Sequence, residues 1–171
     1  MYVGIDPGIN CIAIAILDLA GNVLTSHLFE ADREKSQLDR MLENLNLIEK
    51  NWGGKDNKVA IEFTLARMGP SITSISQLGV CSGYLYSMMR SKGNESILVQ
   101  PSQWQKKKGK EKNAEDLLEG LDIDTRKDVL KEASRYKKPL QHNIIDAFGI
   151  AFWRLDDDRR RAADRALQQR V

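Results

Sequence analysis

Three acidic residues, far apart in the sequence, each lie where a carboxylate could take part in chemistry. Asp6 ends a short apolar segment and is followed by a Pro-Gly turn, and Glu62 comes near the end of a second such segment. Asp146 interrupts the apolar run 144–148, where an acid is usually paired or directed into a site. A strand-end Asp before Pro-Gly is also an ordinary turn, in which the carboxylate caps its own backbone. Asp6 alone therefore does not decide between a turn and a site.

Carboxylates that lie close together repel each other, so a fold that gathers three of them needs cations or a shared proton. His142 and Asn143 precede Asp146 by four and three residues, spacings that share one helix face. Oxygen ligands in this number suit Mg²⁺ or Mn²⁺. Two such ions about 4 Å apart cleave phosphodiesters, because one activates water and the other stabilises the leaving oxygen. The residues thus predict a two-ion site for phosphodiester hydrolysis.

The elements that must position these residues follow from hydrophobic periodicity. Apolar segments bounded by turn residues predict strands over 2–6, 11–18, 23–29, 59–63 and 96–100. Apolar residues at spacings of three and four predict helices over 34–50, 71–90 and 142–155, with shorter ones near 113–119 and 125–135.

The order of these elements predicts an α/β fold. The first three strands form an antiparallel meander, and a right-handed crossover through the first helix returns the fourth strand beside the first. The fifth strand follows the fourth in the same way, which gives a five-stranded mixed sheet of order 3-2-1-4-5 with helices on both faces. Asp6 and Glu62 then end side by side at one rim, where open α/β sheets place their ligands.

The segments around these acids resemble the three acidic motifs of RuvC-type Holliday junction resolvases. They are Gly4–Gly8, Val59–Glu62 and His142–Ala151, and their order and spacing match from residue 1 to about residue 155. The resemblance implies an RNase H-like fold, a homodimer, and Mg²⁺-dependent paired nicking of four-way DNA junctions. This short chain with a charged end is similar to the resolvases of bacteriophages. Two ions per site are implied, with Mn²⁺ as a substitute for Mg²⁺.

Carried over by position, Asp6, Glu62 and Asp146 are metal ligands, and Asn143 and His142 complete the catalytic set. Asn143 departs from the family, which usually has Asp, and sometimes His, three residues before the last Asp. Asn coordinates through its carbonyl oxygen but carries no charge, so metal affinity should fall. Three explanations stay open: His142 takes its place or assists proton transfer, Asn143 suffices beside three carboxylates, or an engineered change of Asp to Asn has inactivated the site.

A basic stretch follows the fifth predicted strand, toward the same rim as the acids. It has five lysines and one acid between residues 106 and 112, in a chain whose net charge is only +2. Lysines there could neutralise phosphates beside the scissile bond, although charge runs are more often solvated loops. Phe63 could stack on a base or belong to the core. The candidate DNA-binding residues, some carried over from the resemblance, are Lys106, Lys107, Lys108, Lys110, Lys112, Lys127, Phe63 and Arg67.

The predicted helix 71–90 is the candidate dimer element. Gly79 and Gly83 lie four residues apart, so another backbone can come close, either a partner's or that of the chain's own sheet. A two-fold dimer would place one site on each of two strands of a four-way junction. The nuclease domain is expected over 1–155. A charged tail, 156–171, is either a solvated helix or a frayed terminus.

Composition limits the other possibilities. The 171 residues fit one domain, no apolar run reaches the roughly 18 residues of a membrane span, and no secretory signal is visible. Cys11 and Cys81 lie in apolar segments, which favours two buried free thiols in a reducing compartment. We therefore expect a cytoplasmic protein, in a bacterium or an infected host cell, with branched DNA as its partner and no membrane association.

Three alternative functions remain open. The chain could bind junctions without cutting them, an interpretation that Asn143 favours. It could be another RNase H-like nuclease that acts on flaps or on RNA–DNA hybrids, since the sheet and acids would be the same. Half of a sugar-kinase-like or actin-like ATPase also begins with a strand-end Asp followed by Gly, but the sequence is too short for two halves and shows no second Gly-rich phosphate loop.

Overall fold

The computed structural model describes residues 1–32, 34–63, 72–105 and 110–168. The strands in these ranges are β1 (Tyr2–Asp6), β2 (Cys11–Leu17), β3 (Val23–Glu30), β4 (Lys58–Glu62) and β5 (Glu95–Val99). The helices are α1 (Gln37–Asn51), α2 (Ile72–Ser91), α3 (Pro101–Trp104), α4 (Lys110–Gly120), α5 (Ile123–Ser134) and α6 (Gln141–Gln168), with a 3-10 turn over Lys138–Leu140 before α6. Every predicted strand and helix is found, and α3 is an addition.

The five strands form one mixed sheet of order β3-β2-β1-β4-β5, which confirms the predicted fold class. β1 pairs antiparallel with β2 and parallel with β4, and β4 pairs parallel with β5. α1 connects β3 to β4 and α2 connects β4 to β5. β1 therefore lies at the centre, with the meander on one side and the crossover strands on the other.

Alternate residues of the central strands face different helices. Ile12 of β2 belongs to the apolar cluster with α1 and α2, whereas Ala13 belongs to the cluster with α6. The small residues on the second face let α6 come very close to the sheet. A Cβ atom on Gly4 of β1 would lie 2.0 Å from the carbonyl oxygen of Ala147, so the backbone of α6 rests directly on β1. Only glycine allows this approach.

α6 continues through the charged segment 156–168, so this part of the tail is helical, as the first of the two alternatives expected. A group of ion pairs joins its middle to the end of the sheet opposite the candidate acids. Arg154 is 2% exposed and pairs with Glu95 and Asp158, and Asp158 also pairs with Lys58. Because buried charges need such partners, these contacts fix α6 on the first residues of β4 and β5.

The outer edge of β3 is covered by residues from α5 and the turn after it. The backbone N–H and hydroxyl of Ser26 both donate to Glu132 Oε2, at 2.7 and 2.9 Å, and Tyr136 Oη donates to the Ser26 carbonyl at 2.9 Å. Burial acts to raise the pKa of Glu132, but the hydrogen bonds from Ser26 and the Arg135 guanidinium outweigh it and hold the pKa below its usual value. These contacts satisfy an edge that would otherwise be open to pairing.

Both cysteines are free, but they differ in environment. Cys81 is buried, and burial raises the pKa of its thiol to about 12. Cys11 is only partly buried, because it is the first residue of β2 and lies at the rim. The expectation of two buried thiols is therefore wrong for Cys11.

Within the ranges described above, no helix is both long and apolar enough to cross a membrane. The longest, α6, has 28 residues, but its second half is rich in charged side chains.

Candidate active site

Two of the candidate acids come from the ends of adjacent parallel strands. β1 and β4 pair in register from Tyr2 and Lys58 to Ile5 and Ile61, and each strand ends at the next residue. Asp6 and Glu62 therefore leave the sheet beside each other at one rim, as predicted from the strand order. Both side chains are partly exposed, while the apolar residues before them are buried under helices on both faces.

The turn after Asp6 is tight. A Cβ atom on Gly8 would lie 2.5 Å from the carbonyl oxygen of Cys11, so the chain can reverse into β2 only with glycine at this position. Asp6 pairs with Ala13 across the β1–β2 ladder and thus stays part of the sheet. The Pro-Gly turn therefore fixes Asp6 at the rim. This position is compatible with Asp6 as a turn residue and with Asp6 as part of a site.

α6 brings Asp146 to the same end of β1. Ala147 and Ala151 rest on Gly4, two residues before Asp6, and Asp146 directly precedes this contact. The Asp146 side chain is 4% exposed, a burial that an acid tolerates only with partners. The first turns of α6 thus lie over the rim, while its later residues reach the opposite end of the sheet.

Asn143 and His142 lie on the β2 side of this rim. Asn143 Nδ2 donates to Cys11 Sγ at 3.3 Å, across 132 residues of sequence. His142 and Asn143 line a groove of about 460 Å³ together with the turn after Asp6. The structure therefore brings both residues beside the acidic rim, with the amide nitrogen of Asn143 turned toward a sulfur atom.

Trp104 is a residue of the site that the sequence did not predict. Its indole Nε1 donates to Glu62 Oε2 at 3.0 Å. Its ring lies on Gly149, where a Cβ atom would be only 2.7 Å from Trp104 Cζ3. Trp104 thus joins Glu62 to α6, one turn beyond Asp146. The one sequence feature that pointed here is a glycine among the bulky residues of α6, since such a gap indicates a close neighbour.

The positions of the DNA-binding candidates are only partly described. Lys106, Lys107, Lys108 and Arg67 lie outside the described residues, and Lys110 is known only as the first residue of α4. Lys112 is exposed on α4, and Lys127, exposed on α5, pairs with Asp124 at 3.4 Å. Exposed pairs of this kind contribute little to stability, so Lys127 stays accessible to a polyanion.

Phe63 continues from β4 and is held by the neighbouring strand. Its backbone N–H donates to the Val99 carbonyl at 2.8 Å. Its ring is partly exposed and reaches α2, where a Cβ atom on Gly79 would lie 3.8 Å from Phe63 Cε2. The ring therefore both contacts α2 and remains open to solvent on one side.

The face of α2 that carries Gly83 is exposed. A Cβ atom on Gly83 would meet none of the described residues within 4 Å, so this glycine does not serve packing on the chain's own sheet. Val80 and Tyr84 beside it are 62% and 40% exposed. Tyr84 Oη donates to Glu49 of α1 at 2.8 Å, which ties this face to the neighbouring helix.

The described residues contain no group of three or more His, Cys, Asp or Glu side chains placed so that it could hold a metal ion. Two of the expected ligands are engaged in other contacts, since Glu62 accepts from Trp104 and Asn143 donates to Cys11. The elements that carry Asp6, Glu62 and Asp146 nevertheless meet at one rim, and their carboxylates are the donors that Mg²⁺ prefers. Metal ligation by these residues stays a prediction.

No protein-family model matches this sequence, and no curated protein matches it. Solved structures do. RuvC of Thermus thermophilus in complex with a Holliday junction substrate has a TM-score of 0.54 at 14% identity, over 90% of this chain and 92% of that one. A second Thermus thermophilus RuvC structure has a TM-score of 0.50 at 15% identity, over 88% of this chain and 90% of that one.

The Fowlpox virus resolvase, in complex with Holliday junction DNA, has a TM-score of 0.56 at 12% identity. The match covers 92% of this chain and 99% of that one. At such low identity these likenesses concern the fold. They confirm the predicted fold, which the chain shares with RuvC and with the Fowlpox virus resolvase.

Proposed function

We propose that this chain is a metal-dependent endonuclease that resolves four-way and other branched DNA junctions by paired nicks. One observation carries the proposal: Asp6 and Glu62 end adjacent parallel strands at one rim, and α6 brings the buried Asp146 to the same end of β1. The sheet that holds them has the fold of two proteins whose structures were solved with Holliday junction DNA.

In this proposal Asp6, Glu62, Asp146 and Asn143 hold two Mg²⁺ ions, or Mn²⁺ in their place. When bound, the ions would activate a water molecule and stabilise the leaving oxygen. Asp6 would be the central ligand, because β1 pairs with β4 and carries α6 on Gly4. Trp104 would orient Glu62 through its indole N–H, and His142, which lines the groove on the β2 side of the rim, would exchange a proton there.

The partner assignments belong to the same proposal. Branched DNA would be held by Lys112, Lys127 and the basic residues near them in sequence. A homodimer built on the open face of α2 would place two such sites on opposite strands of a junction. Gly83 has no side chain and Val80 beside it is an exposed apolar residue, so a second copy of the chain could pack closely at this place.

A second candidate function is junction binding without cleavage. It is favoured by a specific observation: Asn143 is uncharged and its amide contacts Cys11. A cleavage assay separates the two functions. Synthetic four-way junctions, flaps and RNA–DNA hybrids are incubated in Mg²⁺ or Mn²⁺ with the chain as it stands, with Asn143→Asp, and with Asp6→Asn as the inactive control.

We expect paired nicks in the four-way junction that Asn143→Asp accelerates and Asp6→Asn abolishes. The acceleration follows because a fourth negative ligand strengthens metal binding. The gain should be at least the roughly 10–100-fold that is usually lost when only the orienting partner of a ligand is removed. Junction binding without nicks in either metal, also for Asn143→Asp, would establish the second candidate. Preference for flaps or hybrids would instead identify another RNase H-like nuclease.

A further inference from the structure

A groove with an unpaired arginine adjoins the candidate active site on its β2 side. Its volume is about 460 Å³, and its walls include Gly8 and Cys11 of the first turn, Arg40 of α1 and His142 of α6. Gly8 follows Asp6 by two residues, so the groove opens directly beside the acidic rim. Anything bound there would lie next to the reacting phosphodiester of the proposed function.

The Arg40 side chain has no partner among the described residues. Its backbone N–H donates to Ser36, but its guanidinium makes no hydrogen bond or ion pair there, and its Nε is buried without an acceptor. Arg154, the other arginine with a buried Nε, pairs through its terminal nitrogens with Glu95 and Asp158. A guanidinium held at a groove with unused donors is suited to an oxyanion, which it can bind through two parallel hydrogen bonds.

Among the described residues that line the groove, Glu30 at the end of β3 is the one acid, and it makes a contact of its own. Arg40 and Glu30 together are neutral, so this place does not attract anions by excess charge. Recognition would depend on directed hydrogen bonds from Arg40 to a single phosphate. That is the behaviour of a contact that fixes the register of a strand, rather than of a general electrostatic surface.

The place of the groove along the rim indicates which phosphate this is. Along the rim, the groove that holds Arg40 lies on the β2 side of Asp6, and Glu62 lies on the β4 side. A DNA strand that crosses the acids toward β2 would therefore meet Arg40 directly beyond Asp6. We propose that Arg40 binds the backbone phosphate adjacent to the scissile one and positions the strand for cleavage.

This inference rests on the proposed function, and a binding experiment without cleavage tests it. The full chain is titrated onto a fluorescent four-way junction in Ca²⁺ or without divalent ions, at several salt concentrations between about 50 and 300 mM. The variants are Arg40→Gln, Arg40→Lys and, as the matched control, Lys50→Gln. Lys50 is exposed on the same helix, and ten residues of helix place it about 15 Å from Arg40.

We expect Arg40→Gln to weaken junction binding about tenfold and to reduce the slope of log affinity against log salt by about 0.9, the value for one lost phosphate contact. Arg40→Lys should keep the slope and lose part of the affinity, because it keeps the charge but not the paired donors. Lys50→Gln should bind like the unchanged chain. The thermal unfolding midpoint of Arg40→Gln should also be unchanged, since the Arg40 side chain forms no polar contact with the described residues.

An unchanged slope for Arg40→Gln, with the original chain binding the junction, would overturn the inference and leave the proposed function standing. A fall in the unfolding midpoint that accounts for the lost binding would also overturn it, because Arg40 would then be structural. If the original chain bound no branched DNA at all, the proposed function itself would fail, and the inference with it.

Discussion

The contact between Gly4 and α6 leads to a sharp prediction about stability. An alanine at position 4 would put its Cβ atom 2.0 Å from the Ala147 carbonyl oxygen and 2.5 Å from the Ala151 backbone nitrogen. Ordinary contacts of a Cβ atom are about 3.4 Å or longer. Because both neighbours are backbone atoms, no side chain can turn away, and α6 must move off the sheet by more than 1 Å.

The expected cost of Gly4→Ala follows from this movement. Overpacking a close-packed interior costs about 1–3 kcal/mol, and a clash with backbone belongs at the upper end. Alanine also lowers the conformational entropy of the unfolded chain, which offsets about 0.4–1 kcal/mol of this destabilisation. We therefore expect Gly4→Ala to lower the free energy of unfolding by about 2–3 kcal/mol. For a chain of this size, that is a fall in the unfolding midpoint of roughly 5–10 °C.

The assay is urea unfolding followed by tryptophan fluorescence and by circular dichroism. Gly83→Ala is the matched control, because Gly83 lies within α2 and a Cβ atom there would meet no described residue within 4 Å. It should stabilise the chain by about 0.5–1 kcal/mol, the usual gain of Ala over Gly in a helix. If Gly4→Ala proved as stable as the original chain, α6 would not rest on β1 as described. The placement of Asp146 beside Asp6 would then be wrong.

Two further predictions concern single contacts. Trp104→Phe keeps an aromatic side chain but removes the indole N–H that donates to Glu62, so the Mg²⁺ concentration for half-maximal binding, measured by calorimetry, should rise about tenfold. The control is Trp153→Phe on α6, because Trp153 packs against the same apolar cluster as Trp104. Equal metal binding by both variants would exclude the positioning role. Glu132→Gln should make the free energy of unfolding less sensitive to acid. In the folded chain the pKa of Glu132 is lowered, so ionised Glu132 adds stability above the ordinary Glu pKa. That added stability is lost as the pH falls through the pKa of Glu132 in the folded chain. Urea unfolding between pH 3 and pH 7 measures this, and parallel curves for variant and original would contradict it.

Much of the fold was predictable because the hydrophobic pattern decides it. The apolar segments before Asp6 and Glu62 are buried on both faces, as strands at the centre of a covered sheet must be. The crossover rule then leaves one arrangement for β1 and β4, and it gives the rim on which both acids lie. Gly4 was part of the first motif, but the sequence does not reveal that α6 packs directly on it through Ala147.

The full length of α6 was not predictable in the same way. Apolar periodicity ends near Leu155, and the residues beyond it are nearly all charged or alanine. What continues the helix is a set of charge pairs, such as Arg154 with Asp158 and Arg161 with Asp157, each four residues apart. Such pairs stabilise a helix only slightly on their own. Here the first pair also joins Glu95, a tertiary contact across 59 residues of sequence.

Trp104 and Arg40 show why site residues are harder to predict than strands. In sequence, Trp104 is an aromatic residue after a strand, and Arg40 is a charged residue on a helix with a polar face. Their importance depends on whether the folded chain brings a hydrogen-bond partner to the side chain. Trp104 finds Glu62 across 42 residues, whereas Arg40 finds no partner among the described residues. Neither fact has a local sequence pattern.

The proposed chemistry depends most on position 143, whose surroundings could accept either Asn or Asp. Asn143 donates to Cys11 Sγ, and sulfur is a weak acceptor, so this contact contributes little to stability. An Asp of the same shape could instead accept the thiol proton of Cys11, because a thiol is also a donor. The fold therefore does not require Asn143. Under the proposed function, its uncharged amide lowers the negative charge at the rim, and we expect that charge, rather than the shape of the site, to decide between cutting and binding.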